Sequence, residues 1–432
     1  MKRSIAMPIG LAVVLALGVS ACGSDDASEG TAGKSTTLTL GGWSLATTPE
    51  FQKLADAFRA ENPDITVQVK EYDATNYDTQ MTADLAAGSA PDIYVMKNLR
   101  NFHTYQSGGA LQDVSDVAAK YDANTKGLNF YQVDGKAYAI PYRQDSWYLY
   151  YNKDLFKKAQ VAEPDGSWTW DDYAAAAKKL TTGLKGSGAG AMGTYQHVWQ
   201  STVQGFALAQ TPGADLLKGD FSYMTPYYQR SLDLQESGAQ ATFGTATTNT
   251  LTYQSQFGTQ KAAMMPMGSW YVATLLAQQA KGDAAKFEWG IAPAPQRDKS
   301  TTSNPVTFGD PTGMGINPKV SGAKRDAAKK FLGFIGGEKS ATAMAGIGIT
   351  PAYASTTVTD AYFALKGIPT DKLSKFAFAT HDTKPENPVS KHTTALQNLL
   401  KETHSSIMSK SVPAEKGITD AQGRAKSQVL NK

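Results

Sequence analysis

Hydrophobic and polar positions change period at regular intervals along this chain. "TLTLGGW" alternates toward Trp43, and residues 49–62 then follow a helical period through Phe51, Leu54, Ala55 and Phe58. Thr48 is placed to cap that helix, with Pro49 in its first turn and Pro63 as its stop. "ITVQVKEY" returns to period two, residues 77–87 read as helix, and "PDIYVM" is a short, buried strand. Strands alternating with helices at this spacing predict βαβ units and largely parallel sheets. Asp134-Gly135 marks a tight turn between "FYQV" and "KAYAIP". Thr169 and Asp172 form a capping box that opens an alanine-rich helix over residues 170–180. "AMGTY", "KAAMMPM", "EWGIAP" and "TGMGIN" read as strands, and residues 269–280 and 324–335 as helices. From Pro351 onward the pattern is nearly all helical, with Leu396, Leu399, Leu400 and Ile407 on one face. The class expected is α/β with a helical C-terminus.

Composition changes the picture at the N-terminus. Lys2 and Arg3 precede an apolar run over residues 5–19 that is too short to span a bilayer, then small residues. Residues 1–21 therefore read as a signal peptide. Val19-Ser20-Ala21-Cys22 looks like a bacterial lipobox, and Cys22 is the single cysteine of 432 residues. Lipidation of Cys22 is expected, and with it attachment to the outer face of the cell membrane. Residues 22–35 are polar and small, a tether ahead of a folded body beginning near Thr36. The remaining length suits two domains better than one core. Losing Lys2 and Arg3 takes the formal charge from +3 to +1, which offers nothing to nucleic acid.

Motifs for covalent chemistry fail one by one. Gly188, Gly190 and Gly193 match G-x-G-x-x-G, but no strand precedes them and no helix follows. The five histidines have no metal-ligand spacing, and no serine sits in a G-x-S-x-G elbow. No metal, cofactor or enzymatic activity is expected.

One stretch raises a question of its own. "GKAYAIPYRQDSWYLYYNKDLF" (residues 135–156) sets Arg143, Gln144, Asp145 and Ser146 amid a run of aromatic rings. Together with "APDIYVM", "FGTQKAAMMPMGSW" and "TGMGINPKVSGAKRDAAKKFLGFIGGEKS" followed by "GIGITPA", it resembles the extracellular solute-binding proteins of carbohydrate-type ABC importers. The segments follow the family's order over almost the whole mature chain. The resemblance implies a two-lobed periplasmic-binding-protein fold (type II, of Venus-flytrap form), each lobe a mostly parallel sheet flanked by helices. The N-terminal lobe would be 36–144 plus 306–349 and the C-terminal lobe 145–305 plus 350–432, hinged near Asp145, Phe308 and Thr350. Closure on a ligand by hinge motion belongs to this repertoire.

The ring-rich stretch would then be the cleft floor, where aromatic faces cover sugar C–H surfaces and planar polar groups bind hydroxyls. Some of its rings are expected to face ligand, and the rest to pack as core. By resemblance Asp145 would be an acidic sugar ligand at the hinge, and Trp270, following Ser269, the stacking tryptophan. Trp43 and Ser44 end the first strand, where open α/β sheets bind ligands. Asn98 and Arg100 follow the "PDIYVM" strand; Met96 and Leu99 stand where the family often has a tryptophan and an acid. Tyr195, Gln196 and Trp199 follow "AMGTY", and Gly309 and Asp310 lie at the second crossover. Trp168, Trp170 and Trp289 read as structural. The function implied is a monomeric receptor that takes a sugar or oligosaccharide to ABC permease subunits. The alternatives are a receptor for a phosphorylated polyol, peptide or osmolyte, and a polysaccharide-active enzyme.

Overall fold

The computed structural model describes residues 35–431; the signal segment, Cys22 and nearly all of the tether lie outside the described residues. Its strands are β1 (Thr36–Trp43), β2 (Ile65–Tyr72), β3 (Ile93–Met96), β4 (Gln132–Val133), β5 (Lys136–Ala137), β6 (Ile140–Gln144), β7 (Trp147–Asn152), β8 (Met192–Thr194), β9 (Ala262–Gly268), β10 (Trp289–Pro293), β11 (Val306–Phe308), β12 (Pro311–Ile316) and β13 (Asp382–Lys384). They assemble as a five-stranded sheet ordered β2-β1-β3-β12-β6, a four-stranded sheet ordered β10-β7-β9-β8, and the pairs β11-β13 and β4-β5.

Local chemistry explains most boundaries. The helix Glu50–Glu61 buries Phe51, Leu54, Ala55 and Phe58, the positions its period marked. Its cap is Pro49 rather than Thr48, and no side chain caps it. The helix Trp170–Gly186 carries the reciprocal Thr169–Asp172 capping box and runs a turn and a half beyond the expected end. Asp134 (φ 51°) and Gly135 (φ 75°) both adopt left-handed backbone, as a two-residue β4–β5 hairpin requires. The helix Gly322–Ile335 buries Ala327, Ala328, Phe331, Leu332 and Ile335.

The expectation of mostly parallel sheets needs correction. β1 pairs in parallel with β2 and β3, joined through helices. β12 runs antiparallel to both β3 and β6, and β7 antiparallel to both β10 and β9. Parallel pairing needs a long crossover between neighbours. β6 passes to β7 through Asp145 and Ser146 alone, and β11 to β12 through Gly309 and Asp310, so these strands insert with the opposite sense.

Two hydrophobic cores accompany the two sheets. One runs from Leu38 to Tyr142 and resumes from Met314 to Ile349, with Ala273 added. The other runs from Trp147 to Phe308 and resumes at Ala341, Ala345 and from Val358 to Ala425. The molecule is therefore an α/β protein of two lobes, each with its own sheet and apolar interior.

Candidate functional site

The connections between the lobes lie against one another. Gly309 is packed so closely on the first crossing that a Cβ there would come 2.0 Å from the Asp145 carbonyl oxygen. Gln144 N donates to Thr350 O at 3.2 Å and Ala352 N to Tyr142 O at 3.0 Å, which brings residues 350–352 alongside β6. β13 adds a further member that the helical reading of the C-terminal part missed, since it pairs in parallel with β11. Three residues of strand carry too short a period to register in sequence.

The polar quartet within the ring-rich stretch now has a structural account. Arg143 Nη1 donates to Glu50 Oε1 and Oε2 at 2.7 and 2.9 Å. Its Nε makes an ion-pair contact of 3.0 Å with Asp145 Oδ2, outside good hydrogen-bond alignment. Ser269 Oγ donates to Asp145 Oδ1 at 2.9 Å, and Tyr142 Oη donates to Glu50 Oε1 at 2.7 Å. Ser146 Oγ lies 2.8 Å from Thr383 Oγ1 and 3.0 Å from His381 Nε2. Glu50, Arg143, Asp145, Ser146 and Ser269 are all buried. Burial opposes the Arg143 charge, but Asp145 and Glu50 more than offset it and raise the guanidinium pKa. Burial likewise pushes the Asp145 carboxyl up, against the pull of Arg143 and Ser269. Asp145 and Ser269 are thus brought together, and their partners are each other and Arg143.

The rings beside them do something else. Every residue of β7 is buried: the strand is central in its sheet and its rings lie within the apolar core of that lobe. Trp147 stacks on Phe308 at 4.8 Å, and Tyr150 contacts Tyr271 at 5.3 Å and Trp289 at 6.1 Å. The expectation that some rings of this strand face ligand is corrected: they are core.

An exposed aromatic surface forms nearby from other segments. Trp199, 41% exposed, is the large hydrophobic side chain left open among the described residues. It lies 4.5 Å from His197, 5.6 Å from Tyr253 and 6.3 Å from the half-buried Trp270 between ring centroids. Trp270 meets Trp147 edge-on at 5.5 Å, which ties this surface to the floor. Burial lowers the His197 pKa to about 4, so the ring is neutral at physiological pH. Tyr253 and His197 were not singled out in the sequence; Tyr253 begins a five-residue helix with no periodic signal.

The remaining expected residues divide into packing and polar groups. Trp43 is 9% exposed, held edge-on by Phe51 and Tyr77 with Lys97 Nζ 4.7 Å above its ring. Its apolar faces are used inside the lobe. Ser44 takes left-handed backbone (φ 55°), and its carbonyl accepts from Thr47 N and Thr48 N. Tyr195 is buried and donates to Leu251 O at 2.9 Å, while Gln196 accepts from Ser231. Asn98 Oδ1 accepts from Arg100 N at 3.0 Å. Arg100 is half-buried and bonds Asn398; burial lowers its pKa while Asp78 and Glu386 oppose that. Asp310 is saturated, accepting from Leu99 N (3.1 Å), Glu386 N (2.8 Å) and Asn387 N and Nδ2 (3.3 and 2.6 Å). Trp170 and Trp289 are core, as read.

Two features decide the chemistry such a surface can perform. Lys97 is turned to the Ala74 carbonyl at 2.5 Å and to ring faces, and Arg143 is ion-paired. Lys97, Arg100 and Arg143 face Glu50, Asp73, Asp78, Asp145 and Glu386, so acids outnumber bases. Among the described residues no group of His, Cys, Asp or Glu comes together as a metal site, and no helix is long and apolar enough to cross a membrane.

Comparison with known proteins agrees with this architecture. Residues 42–342 match the family model described as bacterial extracellular solute-binding protein. A sugar transporter of Rhizobium etli in an open conformation superposes with a TM-score of 0.77 at 28% identity, covering 91% of this chain and 99% of that one. A substrate-binding protein of Listeria monocytogenes in complex with cycloalternan shares the fold, at TM-score 0.75 and 22% identity over 90% of this chain and 98% of that one. The sn-glycerol-3-phosphate-binding periplasmic protein of Shigella dysenteriae is 31% identical over 168 residues, 36% of this chain and 36% of that protein. The chain thus spans about a third of the length of the curated relatives it matches. The fold match over nine-tenths of the chain and the family match together settle what kind of protein this is: the chain belongs to the bacterial extracellular solute-binding proteins, a family that binds solutes and does not transform them.

Proposed function

We propose that this protein captures an uncharged sugar or short oligosaccharide between its lobes and presents it to the permease subunits of an ABC importer. The observation that carries the reading is the open Trp199 face, backed by Trp270 and Tyr253 and adjoining the buried polar floor. Rings of this kind cover the C–H faces of a pyranose, and hydroxyls take the polar edge. A ligand that bridges both lobes binds the closed arrangement better than the open one and so shifts the population toward closure. The sugar-related structural neighbours support the same class.

The glycerol-phosphate-binding relative favours a second reading, a phosphorylated polyol. The charge arrangement speaks against it. A phosphate needs unpaired cations, whereas Arg143 is neutralised by Glu50 and Asp145, and Arg100 is opposed by Asp78 and Glu386. The lobe boundaries proposed are those of the two cores, with crossings at Asp145, at Gly309 and near Thr350. Attachment through a lipid on Cys22, on the outer membrane face, completes the proposal on the lipobox alone.

A thermal-shift screen of the mature protein against mono- and oligosaccharides, sugar phosphates, amino acids and peptides tests it. Specific binding must raise the melting temperature. A shift with neutral saccharides is expected; stabilisation by phosphates or peptides alone refutes the carbohydrate reading.

A further inference from the structure

Besides their crossings the lobes meet in two places, and the two contacts differ in kind. The helix Tyr271–Lys281, which Trp270 precedes, reaches the first lobe through apolar packing. Ala273 is 4% exposed within that lobe's core, and a Cβ on Gly348 would come 3.2 Å from the Ala273 Cα and amide nitrogen. Lys281 Nζ adds a bond to Ala46 O at 2.6 Å. Separating this side would return apolar surface to water.

The second contact is polar. The helix Thr393–Met408 gives Leu396, Leu399 and Leu400 to the second lobe's core and turns Thr394 and Asn398 away from it. Thr394 Oγ1 donates to Arg100 O at 3.0 Å and lies 3.3 Å from Asn101 Oδ1 and 3.5 Å from Thr104 Oγ1. Arg100 Nη2 donates to Asn398 Oδ1. Arg100, Asn101 and Thr104 stand where β3 passes into the helix Phe102–Ser107, whose Phe102 and Tyr105 belong to the first core. Thr104 and Asn398 are exposed and Thr394 is half-buried, so water can replace these bonds at little cost.

This polar contact adjoins the aromatic face. Gln200, the residue after Trp199, donates through Nε2 to Gln397 O at 3.2 Å. One helical turn on, Gln204 Nε2 donates to Leu400 O at 3.0 Å and to Tyr228 Oη at 2.7 Å. Gln204 and Tyr228 are both buried. The segment bearing Trp199 and the helix bearing Thr394 and Asn398 therefore move as one body. Parting Thr394 and Asn398 from Arg100 carries Trp199 away from the first lobe.

We infer that Thr394 and Asn398, with Arg100, Asn101 and Thr104 opposite, form a polar latch that holds the lobes together on the Trp199 side. Each bond runs directly from lobe to lobe, so no solute is needed to make it. The latch raises the population of the closed arrangement, and with it the apparent affinity for every solute that binds that arrangement, by one common factor. Losing its two side chains together should lower the closed-to-open ratio on the order of tenfold.

Small-angle scattering of the mature protein, with no solute added, tests the latch. In the double variant Thr394→Ala, Asn398→Ala the radius of gyration should rise, and the open share fitted from the curve should increase severalfold. Its melting temperature should stay close to that of wild type, because neither side chain enters a core. Thr394→Ser keeps the hydroxyl and should scatter as wild type does. Equal radii for the double variant and wild type overturn the inference, as does equal expansion in Thr394→Ser. Should the double variant melt early, Asn398→Ala alone, at an exposed position, must show the expansion or the latch falls. None of these readings uses a saccharide, so they fail or stand separately from the carbohydrate reading, which the thermal-shift screen decides.

Discussion

Replacing Arg143 by methionine removes the cation that holds the lobe crossing together. The guanidinium contacts Glu50 at 2.7 Å and Asp145 at 3.0 Å, and the side chains of this triad are 9%, 5% and 7% exposed in the order Arg143, Glu50, Asp145. Methionine fills much of the volume, so the loss is chiefly of charge. Two carboxylates would then lie in a low-dielectric interior, with only the Tyr142 and Ser269 hydroxyls to serve them. Breaking a buried pair by removing one partner costs about 3–5 kcal/mol, and that loss is expected near neutral pH. Its pH dependence has a definite sign. Burial already raises the Asp145 carboxyl against the pull of Arg143, and without Arg143 it stands further above its unfolded value, so the native state takes up a proton there as the pH falls and the deficit shrinks. Urea unfolding followed by circular dichroism at about pH 8 and about pH 5 would measure both effects. The triple variant Glu50→Gln, Arg143→Met, Asp145→Asn should recover most of the loss, because no uncompensated charge remains. A loss below about 1 kcal/mol, or one equal at both pH values, would show that the triad is not the buried unit described.

Other consequences follow from single residues. Trp199→Ala should abolish the saccharide-induced thermal shift and leave the unliganded melting temperature nearly unchanged, since the ring is 41% exposed; truncating an aromatic anchor costs about 2 kcal/mol or more of binding. Retained binding would remove that ring from the site. Gly309→Ala places a methyl 2.0 Å from the Asp145 carbonyl and should cost a few kcal/mol, on the order of a severe overpacking mutation, in thermal unfolding. Glu386→Gln should stabilise the unliganded protein above pH 7 and not near pH 4.5, because burial lifts the folded pKa to about 7, above the ordinary 4.5 of a glutamate. Wild-type stability at this group is fully present below the unfolded pKa and lost as the pH rises through the folded one. The gain at high pH, allowing for the group's residual contact with solvent, is about 2–3 kcal/mol. Equal melting curves for variant and wild type near pH 8 would refute it.

Much of the fold was legible in local pattern. Phe51, Leu54, Ala55 and Phe58 announce their helix by spacing, and the Thr169–Asp172 box and the Asp134-Gly135 turn announce theirs by short-range chemistry. These signals need only neighbours in sequence. Of the candidate site, Trp199, Trp270, Asp145 and Ser269 could be named from the sequence. Tyr253 and His197 could not, since they stand on a very short helix or in an irregular segment and acquire meaning only from what packs beside them.

The aromatic run at Trp147–Asn152 separates the two kinds of knowledge. Its composition alone showed that rings and charges share one segment; that the segment crosses between lobes was implied by the family resemblance. Which rings meet solvent depends on what packs on the two faces of the sheet, and Phe206 and Phe308 against Trp147, and Phe257 and Tyr271 against Tyr150, cover them. The amino-acid order determined most of the longer strands and helices and the Thr169–Asp172 cap, because each arises from contacts a few residues apart. Folding decided that Arg143 would be spent on Glu50, 93 residues away, and that Trp199 rather than Tyr148 or Tyr150 would stay open. Burial and electrostatic pairing are properties of three-dimensional proximity, and no local pattern encodes them.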